Sequence, residues 1–241
     1  MSNNFFRFKQ FIIHQSHCAM KVCTDACLFG ARVSQKIRNQ KSEIRNLLDI
    51  GTGTGLLALM YAQRNPDAII DAVEIDEAAA KQAKENFDAS PWEARLNVYH
   101  DPIQQFNASA KYDLIISNPP FFENDLKSKN AKRNVALHSS DLSLEELSDA
   151  VVKHLQEEGI FAILLPYHRT EEFIDLAMKR SLHLSKKILV KQTPSRNYFR
   201  SMAWFTKKII QVEESEIIIQ NEDGKYSNEF IELLGDYYLY L

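Results

Sequence analysis

A glycine-rich turn that follows a short apolar run constrains the fold of this chain more than any other feature. Residues 46–50 read Asn-Leu-Leu-Asp-Ile, which predicts a buried strand, and G-T-G-T-G follows directly. A helical pattern then extends from Leu56 to Gln63 and ends before Pro66. A strand, a glycine turn and a helix in this order indicate the first unit of an α/β domain with a parallel sheet.

The same alternation of apolar runs and helical patterns continues along the chain. Two later runs, 184–191 and 202–212, predict an antiparallel hairpin that closes the sheet. Ligands of such sheets bind at the carboxyl ends of the strands, so we expect the functional residues there. The other expected strands cover 68–75, 96–99, 112–117 and 160–165, with a turn at Gly159 before the last; the other expected helices cover 24–38, 77–87, 143–155 and 170–180.

The residues around the glycine turn indicate a cationic nucleoside ligand. The spacing G-x-G-x-G leaves Leu56 where a dinucleotide-binding turn has its third glycine. A carboxylate at Asp49 disfavours a pyrophosphate and favours the sulfonium and ammonium groups of S-adenosylmethionine. Glu74 ends the next strand, where an acid binds ribose hydroxyls. The sequence therefore predicts that Asp49, Gly51, Gly53 and Glu74 bind S-adenosylmethionine.

Two further strand ends carry residues suited to this chemistry. Asp101 closes the third strand, where a carboxylate can accept a hydrogen bond from the adenine amino group of the cofactor. The fourth strand ends in S-N-P-P-F, residues 117–121. An adenine amino group is a poor nucleophile, and the side-chain oxygen of Asn118 with the carbonyl of Pro119 can accept both of its N–H groups and free its lone pair. Phe121 offers a face on which the target base can stack.

Composition restricts the partners and the compartment. The 241 residues suit one domain, and no stretch resembles a signal peptide or a membrane span, so we expect a cytoplasmic protein. The net charge is −3, but nine cations and no acid lie between residues 179 and 208. Such a run either attracts phosphates or forms ordinary solvated faces. Cys18, Cys23 and Cys27 match no zinc pattern, so we expect no metal.

The motifs D-I-G-T-G-T-G, A-V-E-I-D and S-N-P-P-F together resemble the class I methyltransferases that modify planar amino groups. F-K-Q-F from residue 8, A-M-K-V-C-T-D-A-C-L-F-G-A from residue 19, A-L-H-S-S-D-L-S-L-E-E-L from residue 136 and P-S-R from residue 194 are similar to the tRNA1(Val) (adenine-37-N6)-methyltransferase family. The resemblance implies a Rossmann-like α/β fold with a mostly parallel seven-stranded sheet. It also implies methylation of N6 of adenosine 37, beside the anticodon of a valine tRNA, and a cofactor-side role for Asp25.

A tRNA partner requires contacts that the sequence only suggests. Lys132, Arg133, Arg196 and Arg200 are the candidates for RNA phosphates, and the long polar segment 123–135 is expected to be a mobile lid. We expect a monomeric single domain, with an N-terminal extension over 1–45 that packs on the cofactor pocket, a catalytic core over 46–212 and an acidic tail over 213–241.

Four other functions are compatible with parts of the sequence. Guanine N2 of ribosomal RNA, or a glutamine side chain of a protein, presents a similar planar amino group, and N-P-P-F leaves the guanine acceptor open. A non-catalytic RNA-binding module is disfavoured because Asn118 and the glycine turn are intact. A nicotinamide dehydrogenase is disfavoured by the glycine spacing and by scattered histidines that form no proton-transfer group.

Overall fold

A computed structural model describes residues 4–18, 20–35, 44–120 and 142–241. Its strands and helices alternate through most of the chain, as the apolar pattern predicts. The strands are β1 (Phe5–Arg7), β2 (Ile12–His14), β3 (Asn46–Ile50), β4 (Ile69–Glu74), β5 (Leu96–His100), β6 (Tyr112–Ser117), β7 (Leu155–Pro166), β8 (His183–Lys191), β9 (Tyr198–Thr206) and β10 (Glu213–Ile218). The helices are α1 (Thr24–Val33), α2 (Leu56–Arg64), α3 (Glu77–Asp88), α4 (Leu144–His154), α5 (Thr170–Met178) and α6 (Asn228–Leu234).

Within these described ranges, β3 to β10 form one sheet of eight strands in the order β10-β8-β9-β7-β6-β3-β4-β5. Only β9 runs antiparallel to its neighbours, β7 and β8, so the Rossmann-like α/β fold with a mostly parallel sheet and a closing hairpin is confirmed. The sheet has one strand more than the expected seven, because β10 pairs parallel to β8 at the edge. Two apolar clusters cover the two faces of the sheet, and its central strands are buried between them.

Successive residues of the central strands belong to two different apolar clusters. In β3, Leu47 lies in the cluster that includes α1, α2 and α6, whereas Leu48 lies in the cluster that includes α4 and α5. Both side chains are fully buried. This is why the central strands read as continuous apolar runs rather than as an alternating pattern. Helix α4, expected over 143–155, begins with a reciprocal capping box formed by Ser143 and Glu146.

Three sequence-based expectations about elements were wrong. The turn at Gly159 is absent, because β7 begins at Leu155 and Gly159 lies inside it, beside an irregularity in the pairing with β6. A Cβ there would stand 3.0 Å from the backbone oxygen of Tyr112, so glycine permits the close approach of two strands. Helix α1 ends at Val33 rather than at residue 38, and the strand expected over 202–212 lies at Tyr198–Thr206 instead.

Residues 213–241, described above as an acidic tail, contribute the strand β10 and the helix α6. Beyond α6, the side chain of Tyr237 is fully buried and its hydroxyl donates to the carbonyl of Met60 in α2 at 3.0 Å. The backbone of Lys9, between β1 and β2, donates to the carbonyl of Tyr237 at 2.8 Å. The two ends of the chain therefore pack together on the core.

We expect the Tyr237→Ala variant to lose about 3–5 kcal/mol of unfolding free energy, because it removes a buried ring and its buried hydrogen bond to the Met60 carbonyl. The measurement is urea denaturation followed by circular dichroism. Tyr240→Ala is the matched control: Tyr240 is 89% exposed, and its replacement should change stability by less than about 0.5 kcal/mol. Equal losses in the two variants would contradict a structural role for Tyr237.

Candidate active site

The glycine turn leaves its backbone open at the carboxyl end of β3. Gly51 and Gly53 have φ angles of 70° and 56°, and a Cβ atom built on either would meet no heavy atom within 4 Å. The positive φ angles favour glycine, and the free space in front of the turn can admit a ligand close to the main chain. The turn is fixed from behind, since the Gly51 amide donates to the carbonyl of Val73 in β4 at 2.9 Å.

Asp49 is a fully buried acid beneath this turn. Its Oδ2 accepts a hydrogen bond from the Thr52 hydroxyl at 2.6 Å, whereas its buried Oδ1 has no hydrogen-bond partner among the described residues. Burial raises the pKa of Asp49 to about 7, with the charge of Glu74 adding to the rise and the Thr52 hydrogen bond opposing it. An orphaned carboxylate oxygen of this kind suits a cationic ligand, which would favour the ionised acid.

Glu74, at the end of β4, is held against the glycine turn. Its Oε2 accepts the Gly53 amide at 2.8 Å and its Oε1 accepts the Asp76 amide at 3.0 Å. The residue is 9% exposed. The next residue, Ile75, is 48% exposed although it is a large apolar side chain. This exposed apolar side chain, at a strand end where ligands bind, is one that the sequence analysis did not single out.

Asp101 lies near the same edge of the sheet. His100 pairs with Glu74 in the register of β4 and β5, and its Nε2 donates to the Ile75 carbonyl at 3.0 Å. Asp101 follows and is exposed. The structure therefore brings the strand ends that carry Glu74 and Asp101 together, as the sequence predicts.

Asn118 stands beside the glycine turn in the sheet. The register of β3 and β6 pairs Ile50 with Ser117, and the Ser117 hydroxyl donates to the Ile50 carbonyl at 2.9 Å. The following residues, Gly51 and Asn118, therefore start from neighbouring strands that are about 5 Å apart. Asn118 is half-buried and Pro119 is buried.

Three of the predicted site residues lie outside the described part of the chain. They are Phe121, Lys132 and Arg133, and the predicted lid 123–135 lies outside it as well.

Asp25 and Arg200, for which the sequence predicted different roles, form an ion pair. The Arg200 Nε donates to Asp25 Oδ2 at 2.7 Å, and the two side chains are only 27% and 13% exposed. The pair joins the start of α1 to β9. Arg196 lies in the exposed turn between β8 and β9. An arginine fixed by a carboxylate is less available to an RNA phosphate, so the pairing favours Arg196 over Arg200 for that contact.

The basic run 179–208 does not form a field of one sign, because acids from elsewhere in the fold neutralise it. The strand β10 places a row of glutamates beside the lysines of β8. The sequence did not predict the pairing of these two strands, so it could not show these ion pairs. Seven of the nine cations have an acidic partner within 4 Å: Arg180–Asp149, Lys186–Glu213, Lys187–Glu171 and Glu214, Lys191–Glu216, Arg200–Asp25, Lys207–Glu157 and Lys208–Glu158.

The buried Asn86 of α3 is a second residue that sequence reasoning missed. Its Oδ1 accepts the His14 amide at 2.9 Å, and its Nδ2 donates to the carbonyls of His14 and Thr54 at 2.9 and 2.8 Å. It therefore joins β2 to the glycine turn. Burial, together with the nearby charges of Glu74 and Asp76, raises the pKa of the Cys18 thiol to about 11, so the N-terminal segment lies near the site. No side-chain cluster in the described ranges has the three acids, histidines or cysteines that could hold a metal ion.

Comparisons with known proteins match the chain to methyltransferases. Residues 30–179 match the family model of the methyltransferase small domain. The chain is 41% identical to a tRNA1(Val) (adenine(37)-N6)-methyltransferase of Dyadobacter fermentans, over 98% of each chain. It is also 41% identical to the enzyme of the same name from Pseudoalteromonas translucida, over 97% of this chain and 98% of the relative. A solved structure of a predicted O-methyltransferase from Agrobacterium tumefaciens shares the fold, with a TM-score of 0.66 at 15% identity, over 88% of this chain and 96% of that one.

The family model and the named relatives define the class of protein as a methyltransferase that uses S-adenosylmethionine as its methyl donor. Within that class, the chain belongs to the tRNA1(Val) (adenine(37)-N6)-methyltransferase family. None of the helices in the described ranges is long and apolar enough to cross a membrane.

We expect Asp49→Asn to stabilise the free protein while weakening its affinity for S-adenosylmethionine at least about 10-fold. The pKa of Asp49 rises from 3.8 to about 7 on folding, so the folded state binds the proton more tightly. Wild-type stability therefore falls as the pH rises through that interval, and the variant avoids the loss. The variant should gain little at pH 4 and about 2–4 kcal/mol at pH 8.

Urea denaturation at pH 4, 6 and 8 measures the stability difference, and calorimetric titration measures the affinity. Asp67→Asn, at an exposed carboxyl, is the control and should show neither effect. A stability difference between Asp49→Asn and wild type that does not change with pH would contradict this account of the buried acid.

Proposed function

We propose that the protein transfers the methyl group of S-adenosylmethionine to N6 of adenosine 37, next to the anticodon, in tRNA1(Val). The proposal is supported by membership of the family and by one observation in the structure: the register of β3 and β6 sets the glycine turn beside Asn118. A donor site and an acceptor turn on neighbouring strands favour direct transfer between two bound molecules.

On the donor side, the described contacts suit the residues predicted from the sequence. Gly51 and Gly53 present open backbone, Glu74 presents a fixed carboxylate to ribose hydroxyls, and Asp49 has a free oxygen for the cationic part of the ligand. We assign Asp101 to the adenine amino group. S-adenosylmethionine supplies an electrophilic methyl group, so these residues need only bind and orient it.

On the acceptor side, we assign the polarisation of the adenine amino group to Asn118 and Pro119. The side-chain oxygen of Asn118 and the carbonyl oxygen of Pro119 accept the two N–H groups, which frees the nitrogen lone pair for attack. Phe121 stacks on the base and limits its rotation. The Ser117 hydroxyl, bonded to the Ile50 carbonyl, fixes the start of this turn. A base of the anticodon loop can enter such a site because it can leave its stack without opening a duplex.

For Asp25 we propose an indirect role on the cofactor side. Its ion pair with Arg200 fixes the start of α1, which follows directly on the N-terminal segment near Glu74. We also propose that the protein acts in the cytoplasm, where its tRNA substrate is found.

Methylation of defined RNA tests the proposal. The protein is incubated with labelled S-adenosylmethionine and bulk tRNA from a strain that lacks its own adenosine-37 methylase, and the nucleosides are separated after digestion. We expect N6-methyladenosine, confined to one tRNA. Label found instead as N2-methylguanosine in ribosomal RNA, or in a protein glutamine, would overturn the proposed acceptor while leaving the methyl donor in place.

The Asn118→Ala variant tests the proposed chemistry. We expect its kcat to fall by about 100-fold or more, because it loses one of the two acceptors that polarise the amino group. Its affinity for S-adenosylmethionine should stay within about threefold, since the donor residues are untouched. Asn97→Ala, at an exposed asparagine of β5, is the matched control and should keep full turnover. Unchanged kcat in Asn118→Ala would show that this residue does not take part in the reaction.

A further inference from the structure

An exposed tyrosine stands beyond Asn118 at the same edge of the sheet. Ser117, the last residue of β6, pairs with Ile163, and β7 continues for three more residues to Pro166. Tyr167 follows directly. Leu164 is the residue of β7 that is level with Asn118. Tyr167 lies three residues beyond Leu164, a distance of about 10 Å along a strand. Tyr167 therefore lies close to, but not inside, the acceptor turn.

The side chain of Tyr167 begins a short exposed turn, shared with His168, that follows the buried end of β7. It is 43% exposed, whereas Leu165 and Thr170 are 0% and 2% exposed. Its ring contacts the ring of Tyr198, at the start of β9, with 5.3 Å between centroids and 45° between planes. An aromatic ring that is supported on one side and open to solvent is what a nucleic-acid base requires for stacking.

Tyr198 is itself held by charged partners on the two outer strands. Its hydroxyl donates to Glu216 Oε2 of β10 at 2.7 Å, and Lys191 Nζ of β8 lies 4.5 Å from its ring centroid. Lys191 and Glu216 form an ion pair at 3.4 Å. Three strands thus fix the ring that supports Tyr167, which lowers the entropy lost when a ligand stacks on it.

We infer that Tyr167 stacks on a nucleotide that flanks the target adenosine in the anticodon loop. The inference rests on the proposed function, because it takes the target base to be at Asn118. The neutralised charge of β8 supports it: lysines already paired with glutamates attract phosphates weakly, so the recognition of RNA at this edge depends more on stacking. Each base stacked on an aromatic ring contributes enough affinity to be measured by alanine substitution.

Kinetics with an unmodified transcript of tRNA1(Val) test the inference. We expect Tyr167→Ala to raise the KM for tRNA by about 5- to 100-fold while kcat and the KM for S-adenosylmethionine stay unchanged. Tyr167→Phe keeps the ring and should stay within about twofold of wild type. Tyr240→Ala removes an aromatic ring that is 89% exposed and is the matched control for a general effect of losing a surface tyrosine.

A spectroscopic signal separates stacking from a structural effect. Two anticodon stem-loops carry the fluorescent base 2-aminopurine, one at each position next to adenosine 37, because stacking on an aromatic ring quenches its emission. We expect wild type and Tyr167→Phe to quench one of the two loops at saturating protein, and Tyr167→Ala to leave both bright.

The outcomes distinguish this inference from the proposed function. If wild type transfers no methyl group to adenosine 37, the proposed function is wrong and the inference falls with it. If wild type transfers it and Tyr167→Ala has either an unchanged KM or undiminished quenching, only the role of Tyr167 is wrong.

Discussion

The parallel pairing of β3 with β6 is the constraint on which the whole site depends. It sets Ile50 opposite Ser117, so the glycine turn and the Asn118 turn leave the sheet side by side. The hydroxyl of Ser117 closes this junction with a buried hydrogen bond to the Ile50 carbonyl. A register shift of one residue would exchange the apolar clusters into which Leu47 and Leu48 pack, so the core that covers both faces also fixes the distance between the two turns.

The same site carries an energetic cost that the fold must offset. Asp49 is a fully buried acid, and burial raises its pKa to about 7, so the ionised form destabilises the free protein. Around it, the turn is anchored by contacts that need no ligand: Glu74 accepts the Gly53 amide, and Asn86 joins the Thr54 carbonyl to β2. Local instability at a preformed site is common where binding, rather than folding, is the function of the residue.

The sequence predicted the features that depend on residues close together in the chain and missed the contacts between residues far apart in it. The apolar pattern predicts the strand and the helix within 46–64, and the backbone freedom of glycine predicts the turn between them. The role of Glu74 follows from its place at a strand end. The partners of the basic run could not be read in this way, since Arg200 pairs with Asp25, 175 positions away, and Lys191 with Glu216 across a strand pairing that no local pattern shows. Gly159 was misread because glycine serves a close strand approach as well as a turn.

A crystal structure with S-adenosylhomocysteine tests most directly the claim that the strand ends of β3, β4 and β5 form the methyl-donor site. The account predicts the ribose hydroxyls within hydrogen-bond distance of Glu74, the amino acid part of the ligand over Gly51 and Gly53, and the sulfur atom facing the Asn118 turn. A ligand bound elsewhere, or one whose ribose makes no contact with Glu74, would contradict it.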